Sequence, residues 1–209
     1  MNPIRPAAGP AGGSVEPFQE GTMNPIEELK NEHRGAEAAL RILEGVCSKA
    51  EKERRIDAGS DIERLLEFFA VFVDTCHHGK EEALLFPALE REGVSRRGGP
   101  IGVLLAEHVS GRTHIAGMRR ALAEAQAGRG GAVEDFLGHT RGYAALLRQH
   151  IFKEESVLFR IAEDRLPEKV KAELVKGFER IEDEKVGHGR HEAFHRMLEE
   201  LGMIYGEAQ

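Results

Sequence analysis

The sequence has no tryptophan, two tyrosines, two cysteines and no apolar run approaching the length of a membrane-spanning helix. A membrane-spanning helix is therefore excluded. The first twenty residues contain no apolar segment of the kind that opens a secretory signal, so a cytoplasmic location is expected. In that setting Cys47 and Cys76 read as reduced core thiols. Net charge is −7, and basic residues cluster no further than the pairs Arg54-Arg55 and Arg96-Arg97, which leaves no nucleic-acid footprint. No segment alternates with the period of two that a half-buried strand needs, so the chain reads as all-α. Histidine is what it has in excess: ten residues in 209.

Residues 1–22 are rich in Gly, Pro and Ala and poor in large apolar groups, a composition that predicts a disordered tail. Beyond it, helix follows helix. Asn24-Pro25 with Glu27 has the form of a capping box opening a first helix over 25–50, in which Ile26, Leu29, His33, Ala36, Leu40 and Leu43 recur at helical spacing. Ser60 with Glu63 predicts a second capped start, with a helix to about residue 92 whose regular part is kinked or ended at Phe86 by Pro87. A third helix is expected over 100–127, and a fourth from the Gly128–Gly131 break to about Asp164. A shorter helix then runs from Leu166-Pro167 to about Glu184, and a last one from Gly189 to about Tyr205. The predicted architecture is an up-down-up-down four-helix bundle over 23–164, with C-terminal helices over 165–209 packing on it.

The chemistry lies in an internal repeat. Residues 77–86, HHGKEEALLF, align with 150–159, HIFKEESVLF, sharing the pattern H-x-x-K-E-E-x-x-L-F. Each copy is preceded by a Glu-His pair, Glu32-His33 and Glu107-His108, at separations of 44 and 42 residues between histidines. The domain is thus two similar hairpins, each offering one His and then one His-x-x-x-Glu. Residues i and i+4 share a helix face, so His77 with Glu81, and His150 with Glu154, can aim a nitrogen and a carboxylate at one volume. The positions of His33, His77, His108 and His150 within their helices bring all four to one level of the bundle. Four imidazoles and two carboxylates in an apolar interior call for a cation. The donor set suits iron, manganese or zinc. If both glutamates bridge, each of two metals receives two nitrogens and two oxygens, and an oxo or hydroxo bridge leaves a position open to O2, NO or peroxide.

These residues, with Glu82 and Leu85-Phe86-Pro87 after the first motif, resemble the hemerythrin-like (HHE cation-binding) domain over about residues 24–160. The resemblance implies a four-helix bundle with a non-haem di-iron centre held by His33, His77, Glu81, His108, His150 and Glu154, with Glu81 and Glu154 bridging. The ligand order is also similar to that of bacterial proteins that repair iron–sulfur centres, which carry a Cys-containing N-terminal domain with no counterpart in this sequence. Oxygen-carrying hemerythrins have an extra His one turn after the third-helix ligand, where this chain has Arg112. Redox or sensing chemistry in stress response or iron handling is therefore expected ahead of oxygen storage. The alternative is a non-catalytic cation-binding or redox-sensing module.

Other polar residues carry more ordinary expectations. Glu37 and Arg112, each one turn beyond a histidine of the set, read as interhelical salt-bridge partners or supports of the site. Tyr143 shares the face of His150, as a packed tyrosine or a hydrogen-bond donor to a bound ligand. His139 lies too far along the helix, and His78 and His114 are expected at the surface. His191-Glu192-Ala193-Phe194-His195 has the H-E-x-x-H form of zinc peptidases, with His188 as a conceivable third nitrogen. Too little chain follows to close a site around it, so an amphipathic covering helix is expected.

Overall fold

The computed structural model describes residues 24–187 and 189–206, so the tail expected over 1–22 lies outside the described residues. Six helical rods and no strand occupy the described part: α1 (Pro25–Glu53), α2 (59–91), α3 (Pro100–Gln126), α4 (132–165), α5 (168–186) and α6 (Arg190–Tyr205). The chain is all-α.

The start of α1 follows from its sequence. The Asn24 side chain accepts a hydrogen bond from the Ile26 amide at 3.0 Å, and Pro25 occupies a position whose N–H has no helical partner anyway. The second half of the expected capping box is absent, because Glu27 turns to Lys30 at 2.8 Å. The Ser60 cap does not form either. α2 begins one residue earlier, at Gly59, which leaves Ser60 inside the first turn.

α2 and α4 are not uniform helices. In α2, π-helical turns run over Phe69–His78 and Glu81–Leu85, and α4 has a matching π segment over Glu154–Leu158. The amides of Phe86 and Phe159 reach back five residues, to the carbonyls of Glu81 and Glu154. In α2 this widened turn meets the steric demand of Pro87, and regular α-helix resumes over Phe86–Arg91. The regular part, expected to kink or end at Phe86, ends instead at Phe68, where the π turns begin, and Phe86 is where regular α-helix resumes.

Two apolar clusters fill the bundle, and their order along each helix fixes its direction. Along α1 the chain passes Ile26 and Leu29 of one cluster, then His33, then Ala36 to Ala50 of the other. α2 runs the opposite way, from Ile62 through Cys76 to Leu85 and Leu89. α3 repeats the sense of α1, from Ile101 to Leu122, and α4 that of α2, from Phe136 to Ala162. The histidines and glutamates of the repeat thus form a polar layer between two apolar plugs. α6 buries Phe194, Met197 and Leu201 in one cluster, and α5 buries Leu174 and Phe178 in the other. Gly45 of α1 lies so close to the Tyr205 carbonyl that any side chain there would collide with it. Among the described residues, no helix is long and apolar enough to cross a membrane.

Candidate metal centre

His33, His77, Glu81, His108, His150 and Glu154 converge in the polar layer, each between 0% and 3% exposed. The Nε2 atoms of His33 and His77 are 3.1 Å apart, and those of His108 and His150 are 3.3 Å apart. Two imidazole donors at about 2.0–2.1 Å from a shared ion adopt such a separation. The carboxylates lie across the two pairs. Glu81 places Oε1 at 3.8 Å from His77 and Oε2 at 3.4 Å from His108. Glu154 places Oε2 at 3.1 Å from His33 and Oε1 at 3.1 Å from His150. Each glutamate therefore offers one oxygen to each histidine pair.

The rest of the repeat orients these rings. Every Nδ1 meets a carboxylate: His77 meets Glu32 at 2.7 Å, His150 meets Glu107 at 3.1 Å, His108 meets Glu82 at 2.8 Å and His33 meets Glu155 at 2.9 Å. An ionised carboxylate can only accept, so each ring donates its Nδ1 proton outward, which leaves Nε2 as the inward nitrogen, the one a metal would take once it has shed any proton. Lys80 in turn holds Glu32 at 2.5 Å, and Lys153 pairs with Glu107. Phe86 stacks on His108 and Phe159 on His33, with ring centroids 5.9 and 5.4 Å apart. The motif thus resolves position by position. Its Lys steadies the carboxylate behind its own hairpin's histidine, while its second Glu and its Phe set the ring of the other hairpin.

Charge in the layer demands a counterion. Both oxygens of Glu81 and Oε1 of Glu154 are buried without a hydrogen-bond partner. Isolated buried carboxylates carry a penalty of several kcal/mol each. Burial favours neutral imidazole, yet hydrogen bonds to Glu154 and Glu155 lift His33 to about 9. His150 rises to about 10, where the Glu154 charge and the Glu107 hydrogen bond outweigh its burial. Protons on these rings are what balances the glutamates when no metal does. Glu32 is held down at about 2, because Lys80 and His77 overcome a burial that would raise it. Three overlapping donor groups, His33–His77–Glu154, Glu81–His108–His150–Glu154 and His78–His108–His150, each bring their ligating atoms within 4.8 Å of one another. Nitrogen and oxygen donors, orphaned carboxylate oxygens and outward-fixed Nδ1 protons all fit cations here.

The hemerythrin HHE cation-binding domain model matches residues 24–162. The chain belongs to that family. Searches of curated proteins and of solved structures returned no match. The HHE match spans α1 to α4 and stops before α5, so α5 and α6 lie beyond the domain match.

Several expectations change at this site. His78, expected at the surface, is buried and stacked on His108 with centroids 3.7 Å apart. It lies in the π segment Phe69–His78, whose wide turns advance less per residue than an α-helix, so His77 and His78 both face inward. His114 is half-buried rather than exposed. It meets His139 across α3 and α4, with Nδ1 atoms 3.4 Å apart, and the two rings lie against Gly142 and Gly117, where no side chain holds them off. Arg112 bridges Asp74 at 2.7 Å and Glu82 at 2.7 Å, while Glu37 is exposed. Tyr143 packs edge-on against Phe69 at 5.0 Å in the apolar core. Cys47 and Cys76 are free and buried, and burial pushes their thiols up to about 11 and about 12.

The H-E-x-x-H segment lies on α6, where His191 faces Glu182 at 2.8 Å and packs on Phe72 at 5.1 Å. His188 lies outside the described residues. Among the described residues, neither His191 nor His195 joins a cluster of three donors. Glu32, Glu107, Glu82, Glu155, Lys80 and Lys153 went unassigned in the sequence, although their recurrence in both copies was the available signal. Nothing in the repeat marks His78, whose counterpart is Ile151.

Proposed function

We propose that this HHE-domain chain holds two irons, with Glu81 and Glu154 bridging, His33 and His77 serving one metal and His108 and His150 the other. The observation that carries this reading is the placing of each carboxylate, one oxygen toward each histidine pair. Such a pair of irons would supply redox change and an open coordination position for O2, NO or peroxide. The protein's part is to present six donors in fixed orientation, exclude bulk water and admit only a small guest. The cavity beside the centre, lined by His33, His77, His78 and His150 among others, has room for about one water molecule. A role in oxidative or nitrosative stress or in iron handling, in the cytoplasm, accords with buried thiols and a guest space of this size. Manganese or zinc would satisfy the same donors.

Anaerobic loading with ferrous iron followed by metal analysis tests the reading, with about two irons per chain expected from the dinuclear donor count. Optical and Mössbauer spectra then report an oxo or hydroxo bridge. A chain that remains metal-free, or saturates at one iron, would overturn it. Turnover of peroxide or NO that disappears in Glu81→Ala separates a reactive centre from a passive cation-binding module.

A further inference from the structure

His78 stands apart from the four histidines of the metal set. Its Nδ1 lies 3.2 Å from Asp74 Oδ1, and Asp74 is anchored in turn by Arg112 Nε at 2.7 Å. An ionised carboxylate accepts only, so the Nδ1 carries the proton and Nε2 carries a lone pair. That Nε2 is buried with no hydrogen-bond partner, on a residue 6% exposed. A buried, unsatisfied acceptor carries a penalty of about 1–3 kcal/mol unless something fills it. One ring nitrogen of His78 lies within 4.8 Å of ring nitrogens of His108 and His150, and the residue lines the cavity beside the centre.

Two roles are open to such a nitrogen, and geometry separates them. As a further metal ligand, His78 would have to aim its lone pair at the ion that His108 serves. The two rings are instead stacked 3.7 Å apart with planes only 14° from parallel, so their in-plane lone pairs do not converge. As a hydrogen-bond acceptor it needs only a donor in the adjoining space. That space has room for about one water-sized molecule. We infer that His78 Nε2 accepts a hydrogen bond from a small protic guest, of the water, hydroxide or hydrogen peroxide class, held in the cavity against the metal centre. Asp74 and Arg112 position the ring by fixing its Nδ1 proton. This assignment rests on the dinuclear reading and adds a preference to it: protic guests are held over aprotic anions of similar size.

Azide, which has no proton to offer, tests the preference by competition with the resident guest. Iron-loaded protein is titrated with azide and followed by its charge-transfer absorption, in the unaltered chain, His78→Phe and His78→Gln. Iron content should be the same in all three, because His78 is not a ligand. His78→Phe keeps an aromatic ring against His108 but loses the acceptor, so azide should displace the guest more easily, with affinity rising about threefold to tenfold. His78→Gln restores an acceptor and should lie between. Unchanged or weakened azide binding in His78→Phe overturns the inference, as does an unaltered chain whose spectrum ignores azide. Loss of a metal from either variant makes His78 a ligand and overturns it as well. Failure of the unaltered chain to take up metal is a different result, which removes the centre itself. Nitrogen-15 imidazole spectra of the zinc-loaded, unaltered protein need no variant to fold: His78 should show a protonated Nδ1 and a hydrogen-bonded, unprotonated Nε2. A metal-bound or protonated Nε2 is the contrary outcome.

Discussion

The two hairpins carry the same motif in different surroundings. Lys80 in the first is fully buried, reaching Glu32 at 2.5 Å, Glu28 at 2.6 Å and Glu182 at 3.5 Å, with its ammonium over the Phe178 ring. Its counterpart Lys153 pairs with Glu107 and keeps a side chain 38% exposed. The difference comes from α5, which supplies both Glu182 and Phe178. Next to the first histidine of each motif, hairpin one has the inward His78 and hairpin two has Ile151. One half of the centre is thus roofed and carries an extra polar group, while in the other the motif's lysine stays partly in solvent. A duplicated motif fixes the candidate donors, and what packs against each copy decides how the copies diverge.

The largest effect should come where the halves are equivalent. Glu81 and Glu154 each face both histidine pairs, so Glu81→Ala and Glu154→Ala should each drop iron content well below one per chain. His33→Ala removes a donor from one pair only and should retain about one iron, with water filling the vacated position. Metal analysis after anaerobic loading checks this. Loss of a single metal in all three variants would break the equivalence and the bridging assignment with it.

The lysines should separate the halves. Lys80→Met leaves Glu28, Glu32 and Glu182 facing one another beneath α5, and removing one partner of a buried ion pair destabilises by about 3–5 kcal/mol. Lys153→Met removes a partly exposed pair whose loss should stay within about 1 kcal/mol. Urea unfolding of the two variants measures the contrast. Equal losses would mean that α5 does not set the environment of the first hairpin.

Much of this arrangement was legible before any coordinates. The apolar period of three and four gave the helices to within a few residues, and the repeat paired the six donors. The register of His33, His77, His108 and His150 within their helices placed them at one level. What could not be read was local backbone geometry. Nothing in HHGKEEALLF announces a π turn, and with regular α spacing His78 points away from the site. The Ser60 cap failed for a similar reason: a hydroxyl three residues before a glutamate is a valid start signal, but α2 had already begun at Gly59. The roof over Lys80 was illegible because it depends on a contact between residues 80 and 182, distant in sequence and unmarked by any motif.

The pH dependence of the metal-free protein should involve one histidine from each hairpin. His33 and His150 rise from about 6.5 in the unfolded chain to about 9 and about 10 in the fold. Raised pKa values mean that the folded state binds the extra protons. Their stabilisation is fully present below about 6.5 and is lost as pH climbs through about 9 and then about 10. Denaturant midpoints of metal-free protein should therefore fall across that window. On the dinuclear reading those nitrogens carry metal in loaded protein, so this fall should disappear, and metal uptake near neutrality should release protons to a weakly buffered solution. Uptake without proton release would show that the two rings are neutral in the metal-free fold.

The smallest effect should come from the positions one turn beyond the first histidine of each hairpin. Arg112 in the second hairpin ties Asp74 and Glu82, both on α2, to α3, whereas the matching Glu37 in the first is exposed. Arg112 is itself 41% exposed, so its ion pairs are screened and Arg112→Ala should destabilise by no more than about 1 kcal/mol. Glu37→Ala should be neutral within about 0.5 kcal/mol, as surface substitutions usually are. The finer consequence of Arg112→Ala lies at the centre. Glu82 would keep its 2.8 Å contact with His108 Nδ1 but lose the guanidinium that restrains it, while Asp74 would hold His78 less firmly. The metal on the His108–His150 side should then exchange faster than the other, visible as two unequal phases when a chelator strips iron from the variant. Removing Glu37 should leave both phases where they are in the unaltered chain. A chelation trace unchanged by Arg112→Ala would mean that the helix backbone, rather than the ion-pair chain, holds the His108 ring in place.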